Sequence, residues 1–212
     1  MKSLYYFAAT CLLITAACQS PETAAQSYKA DRVVGGRCEG CDWYLLGMPA
    51  NLKAETTIAS VDEPGDRLTI SGTIYQKDGR TPASDVILYL YHTDAEGNYS
   101  PSKNQQYASE HGHLRGWVKT GGDGKYLFHT ILPASYPKSK APKHIHPTIK
   151  EPGLTPYYID EYLFENDPNL PEAERNRKQP RGGPGVIHIS KNNEGVWVGK
   201  RDIVLGLNIP GY

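Results

Sequence analysis

Apolar and polar residues alternate at a period of two in Leu68-Thr69-Ile70-Ser71-Gly72-Thr73-Ile74-Tyr75, and a second β-prone run follows in Val86-Ile87-Leu88-Tyr89-Leu90-Tyr91. Side chains along an extended strand point to alternate faces, so this period predicts strands that each bury one side. Further strands are expected over 116–120, 125–131, 144–149, 186–190 and 202–207. Between them stand turn signals: Asp78-Gly79 with Pro82, Asp94 to Asn98, Gly121 to Gly124, and Asn192 to Gly195. Only Glu172 to Lys178 offers a short helix. Short strands separated by turns predict an all-β, antiparallel β-sandwich with long loops and little helix.

The N-terminus breaks this pattern. Met1-Lys2 precedes an apolar run from Leu4 to Ala17 that ends at Cys18. The run is too short to span a bilayer and reads as an export signal. Leu13-Ile14-Thr15-Ala16-Ala17-Cys18 looks like a lipoprotein signal, with small residues before a cysteine whose thiol receives lipid; an ordinary cleaved signal is the alternative. Residues 1–18 are thus expected to be a signal with Cys18 as lipid acceptor, 19–30 a small, polar tether, and 31–212 one folded domain. The product would be an exported, membrane-anchored lipoprotein on the periplasmic or outer-membrane side. In that oxidising setting Cys38 and Cys41 are expected to form a structural disulfide.

Composition narrows the function classes. The 212 residues carry 23 Lys plus Arg against 23 Asp plus Glu, so no net field favours nucleic acid. No Gly-x-Ser-x-Gly, P-loop or dinucleotide fingerprint is present. Tyrosine is the unusual component, 15 against 3 phenylalanines. A buried phenol needs a partner, so this excess points to a polar cleft, a wet interface or metal ligation.

The most specific local pattern is His144-Ile145-His146, which on a strand aims both imidazoles at one side. Upstream run Arg115-Gly116-Trp117, Thr120, Asp123-Gly124, Tyr126-Leu127-Phe128, Thr130-Ile131-Leu132-Pro133 and Tyr136-Pro137. In that order these motifs resemble the catalytic core of the intradiol ring-cleavage dioxygenases, such as the protocatechuate and catechol dioxygenases. The resemblance covers roughly residues 68–207 and leaves 31–67 unexplained. It implies an Fe(III) ion held by two tyrosinates and two histidines, and a reaction in which a catechol is opened by dioxygen between its hydroxylated carbons. Carried over, Tyr136, His144 and His146 become ligands. The first tyrosinate falls on a loop that offers Tyr107 and Tyr99, of which Tyr107 is the expected ligand and Tyr99 the alternative. Phenolates suit a hard ferric ion, which in turn favours loss of the phenol proton. Tyr136 also has the implied role of accepting a proton when the substrate binds.

Two positions depart from the family pattern. Ala141-Pro142-Lys143 stands where an Arg-Pro pair is usual, leaving Lys143 as a point charge in place of a planar guanidinium. Glu161 stands where a glutamine is usual, so a carboxylate borders the expected substrate position and joins Tyr136 and Lys143 as a candidate catalytic group. Two other readings remain at this point. His111 and His113 with His144 and His146 would make a copper or zinc site. A non-catalytic binding module would use the sandwich without the metal.

Overall fold

The computed structural model describes residues 30–38, 40–101 and 111–212. Cys18, the signal and Tyr107 lie outside the described residues. Among the described residues there are twelve strands: β1 Glu55–Thr57, β2 Arg67–Tyr75, β3 Ile87–Tyr91, β4 Arg115–Lys119, β5 Lys125–Ile131, β6 His144–Lys150, β7 Tyr157–Tyr158, β8 Tyr162–Phe164, β9 Val186–Ile187, β10 Ile189–Lys191, β11 Trp197–Lys200 and β12 Ile203–Val204. One short helix, α1 Glu172–Arg175, occupies the segment that the sequence marked as ambiguous.

The strands form two six-stranded sheets. In the first the order is β1-β5-β2-β11-β10, with β12 also on β2; in the second it is β4-β3-β6-β8-β9, with β7 on β6. The long pairs are antiparallel, as alternation and tight turns predict: β2 with β5, and β3 with both β4 and β6. The short strands make the sheets mixed. β1 runs parallel to β5, β11 and β12 parallel to β2, and β9 parallel to β8. Such pairings join segments far apart in sequence, and a two-fold period carries no signal of them.

One face of each sheet fills the core. Leu68, Ile70 and Ile74 of β2 and Phe128 of β5 pack against Leu88 and Leu90 of β3, Ile145 and Ile149 of β6, and Tyr162 of β8. Because Leu88 and Leu90 point inward, Tyr89 and Tyr91 must point outward. The same alternation puts Ile145 inward at 0% exposure and leaves His144 and His146 on the outer face. In register, Tyr91 pairs with both Arg115 and His146, and Tyr89 with Trp117 and Thr148. The outer face of the second sheet is thus aromatic and titratable, and part of it is roofed by the N-terminal segment.

That roof is the region without an account in the sequence. A 3-10 turn at Cys41–Leu45 places Tyr44 over Tyr89 and Trp117, with Met48 and Leu52 packed alongside. The Tyr44 carbonyl accepts a hydrogen bond of 2.5 Å from the Trp117 indole. The Cys38–Cys41 disulfide is formed and closes the loop before this turn.

Candidate metal centre

Four donor atoms converge beside the outer face of β6. The Tyr136 hydroxyl lies 3.0 Å from His144 Nε2 and 3.5 Å from His146 Nε2. The Tyr99 hydroxyl lies 2.8 Å from that of Tyr136 and 3.0 Å from His146 Nε2. Tyr99, the alternative to Tyr107, thus stands in this cluster, and Tyr107 lies outside the described residues.

Each of these side chains is held by its own local structure. His144 donates its Nδ1 proton to the Pro142 carbonyl at 2.7 Å, which fixes the tautomer and turns the bare Nε2 towards the phenols. Burial, with the neighbouring His144 and His111 adding to it, pushes His146 down to about 3, so its imidazole is neutral at physiological pH. Tyr136 follows β5 on a loop tied down where Thr93 Oγ1 donates to the Ala134 carbonyl and Ala134 N–H donates to the Asp94 carbonyl. The loop bearing Tyr99 is organised by Asp94, whose carboxylate accepts from the backbone N–H groups of Glu96 and Asn98 and from the Ser100 hydroxyl. Gly97, at φ 86°, allows this loop to lie against the Ser135 carbonyl, which a Cβ would approach to 2.1 Å.

The donor set fits a single metal ion. Two phenols and two imidazoles with outward Nε2 atoms stand at mutual separations of the size expected around one first-row ion with bonds near ~2 Å. Burial and the hydrogen bond with Tyr136 raise the Tyr99 phenol above its ordinary value. A cation among these oxygens would act in the opposite sense and favour the phenolate.

The four-histidine alternative does not form. Tyr91 stacks on His111 at 3.6 Å and on His146 at 4.6 Å between centroids, its ring separating the two imidazoles. His111 Nδ1 hydrogen-bonds the Tyr89 hydroxyl at 2.9 Å, and His113 pairs with Glu63 at 2.8 Å. Among the described residues no group of three or more His, Cys, Asp or Glu is arranged for a metal. His111 packs among Trp43, Tyr89 and Tyr91, and His113 is held between Glu63 and the Ser100 carbonyl.

The departures from the family pattern are also placed. Antiparallel pairing of His144 with Leu163 and Ile145 with Tyr162 carries on towards His146 and Glu161. The Glu161 carboxylate accordingly lies 3.8 Å from His146 Nδ1. It borders two cavities of about 230 Å³ each, one beside His146 with Tyr91, His111 and Tyr158, the other beside His144 with Ala141, Leu163 and Glu174. Lys143 lines neither. Its backbone N–H donates to Asp167, and its charge helps hold the Asp66 carboxyl down, behind the larger effects of Trp197 and Lys191. The larger cavity at Pro180, Pro184 and Arg175 lies off the donor cluster and lacks its phenols and imidazoles.

The fold and the cluster together define a class, the β-sandwich proteins in which a His-x-His strand meets loop tyrosines at one sheet face. Residues 43–176 match the family model described as Dioxygenase. The chain belongs to the intradiol dioxygenase family. The chlorocatechol 1,2-dioxygenase of Rhodococcus opacus is 34% identical over an alignment of 146 residues that covers 59% of this chain and 52% of that protein. The solved 3-chlorocatechol 1,2-dioxygenase of Rhodococcus opacus 1CP shares the fold at TM-score 0.57 and 21% identity, over 85% of this chain and 74% of that one. The dioxygenase domain of a carbohydrate-binding fusion protein from Streptomyces sp. SirexAA-E does so at TM-score 0.54 and 22% identity, over 74% and 91%. The chain spans about half the length of the curated relatives it matches.

Proposed function

We propose that Tyr99, Tyr136, His144 and His146 hold a ferric ion, and that the protein opens the ring of a catechol between its two hydroxylated carbons with dioxygen, both oxygen atoms entering a muconate-type diacid. The observation that carries this reading is the convergence of two phenols and two Nε2 atoms, with the Tyr99 hydroxyl and both Nε2 atoms lying within 3.5 Å of the Tyr136 hydroxyl. The names of the relatives agree with it. When bound, the ion would supply Lewis acidity towards the catechol oxygens and the redox chemistry with dioxygen.

The chain's own residues then have distinct tasks. His144 is held as a neutral donor by the Pro142 carbonyl. Tyr136 lies on the more open side of the cluster, next to a surface cavity that it shares with Asn98 and Lys138, and its Oη is the atom that accepts a proton from the incoming catechol. Tyr99, walled by Gly112 and Tyr91, stays in place and keeps the anionic charge of the donor set. Tyr91 holds the His146 ring from one side.

Loading with iron under air tests this directly. The expected protein is wine-red from phenolate-to-iron charge transfer and consumes dioxygen with catechol to give a diacid. An iron-loaded but colourless protein, or a coloured one inert towards every catechol, would overturn the reading. Export with a lipid on Cys18 is part of the same proposal. Cys18→Ala should move the protein from the membrane fraction to the soluble exported fraction, and an unchanged distribution would contradict the anchor.

A further inference from the structure

Glu161 borders both the cavity beside His146 and the cavity beside His144, and among the described residues no lysine or arginine lines either, whereas Lys138 lines a third cavity beside Tyr136. Glu174 lines the second, but its charge is already matched, with both carboxylate oxygens within 2.7 Å of Arg177 Nη2. Arg177 also reaches Asp160 at 3.4 Å. Arg181 donates to the Gly35 carbonyl and lies over the Tyr158 ring at 3.6 Å, and Arg115, which acts on His111, is buried over Trp117. At the position where an arginine would supply a positive charge, the chain has Ala141, whose methyl lines the His144 cavity.

Glu161 is also held in place from both ends. Its neighbour Tyr162 is fully buried, hydrogen-bonded to the Tyr126 hydroxyl at 2.9 Å and covered by Arg201. Its carbonyl is pressed by Gly185, where a Cβ would come within 2.4 Å. With Tyr162 committed to the core, alternation aims Glu161 at the outer face and the donor cluster. A carboxylate on so fixed a backbone is a positioned charge next to whatever occupies the cavities.

Resting on the proposed ring-cleavage reading, we infer that Glu161 selects catechols whose ring substituent ends in a cation, such as an alkylammonium group, and disfavours those ending in a carboxylate. A substituent that runs past Tyr136 meets Lys138, whereas one that runs past His144 or His146 enters one of the two cavities and meets Glu161, with no lysine or arginine among the described lining residues. An ammonium there gains a partner, and a carboxylate meets repulsion without a guanidinium to offset it. Because the Glu161 side chain is 44% exposed, solvent screens the interaction and the effect is moderate.

Three catechols of matched reach test this: 4-(2-aminoethyl)catechol, 4-ethylcatechol and 3,4-dihydroxyphenylacetate. Binding to the iron-loaded protein is followed without oxygen from the visible band, and kcat/KM is followed with oxygen. The expected order is ammonium, then neutral, then carboxylate, with steps of roughly fivefold that shrink as salt is raised. Glu161→Gln should bring the three together, whereas Glu161→Asp, which keeps the charge, should preserve the order. If ethylcatechol neither binds nor is consumed, the ring-cleavage reading fails and this inference with it. If ethylcatechol is bound and consumed but the three do not sort by charge, or if Glu161→Gln leaves their order intact, this inference alone is overturned.

Discussion

The Tyr99 and Tyr136 hydroxyl oxygens are 2.8 Å apart although 37 residues separate them in the chain. Two phenols in such contact share a single charge centre more readily than they would share a proton network. Tyr99→Phe should therefore lower iron affinity at least tenfold and shift the visible band. Tyr107→Phe should do neither. Titration of each variant with ferric ion, read by absorbance and metal content, distinguishes them, and a shift confined to Tyr107→Phe would reverse the assignment.

Gly97 allows the two tyrosine loops to touch, since a Cβ would lie 2.1 Å from the Ser135 carbonyl. Gly97→Ala should cost about 2–4 kcal/mol and lower iron occupancy as the loops part. Gly195 has a similar φ of 80° but open space around it, so Gly195→Ala should cost only about 1 kcal/mol and leave iron binding alone. Urea melts of both variants with matched metal analysis make the comparison. Equal losses would mean that backbone strain, and not the Ser135 contact, sets the cost.

These two positions also show what the sequence made readable. Alternation places β2, β3, β5 and β6 within a residue or so of their observed bounds, because each buries one face against a single core. It also places His144 and His146 on one side, since Ile145 must go inward. The approach of Tyr99 to Tyr136 was not readable, because loop direction is set here by the Asp94 hydrogen bonds and the Gly97–Ser135 contact, neither of which has a period. The parallel strands and the aromatic roof of residues 41–52 were hidden for a related reason: their partners lie 20 to 130 residues away. The excess of tyrosine was a true signal, and Tyr89 and Tyr91 could have been placed beside the site from their alternation with Leu88 and Leu90.

His92 should make the fold sensitive to acid. It is fully buried, hydrogen-bonded to the Thr93 carbonyl and the Thr130 hydroxyl, and burial pushes it from 6.5 down to about 4. Between those values the unfolded chain binds a proton that the folded one refuses. Its contribution is therefore complete above about pH 6.5 and is lost as pH falls towards 4, at up to about 1.4 kcal/mol per unit. His92→Gln should lower stability at pH 7 but flatten this slope, with His111, pushed down to about 4 by burial and by Arg115, supplying part of the remainder. Chemical denaturation between pH 4 and 7 gives the slope, and an unaltered slope would assign the acid loss to other groups.

The Cys38–Cys41 disulfide spans a sequence separation of 3, so it restricts the unfolded chain only slightly. Replacing both cysteines by serine should cost about 2 kcal/mol. It should also loosen the wall where a Cβ on Gly40 would lie 3.4 Å from His111 Nε2. Melts with and without reductant measure the first effect, and quenching of Trp43, whose ring is tilted 40° to that of His111 at 4.9 Å between centroids, reports the second. A variant as stable as the parent would show that the loop is held by its packing alone.

The placement of β11 and β12 beside β2 has a temporal meaning. Strand β2 begins at Arg67, yet one of its edges is completed only by residues 197–204. While the chain is being delivered from its N-terminus, that edge stays open and the sandwich cannot close, whatever the local propensity of the early strands. Folding then awaits strands that arrive about 130 residues after the one they complete. For the export proposed above, such a delay would keep the chain loose until the crossing is over.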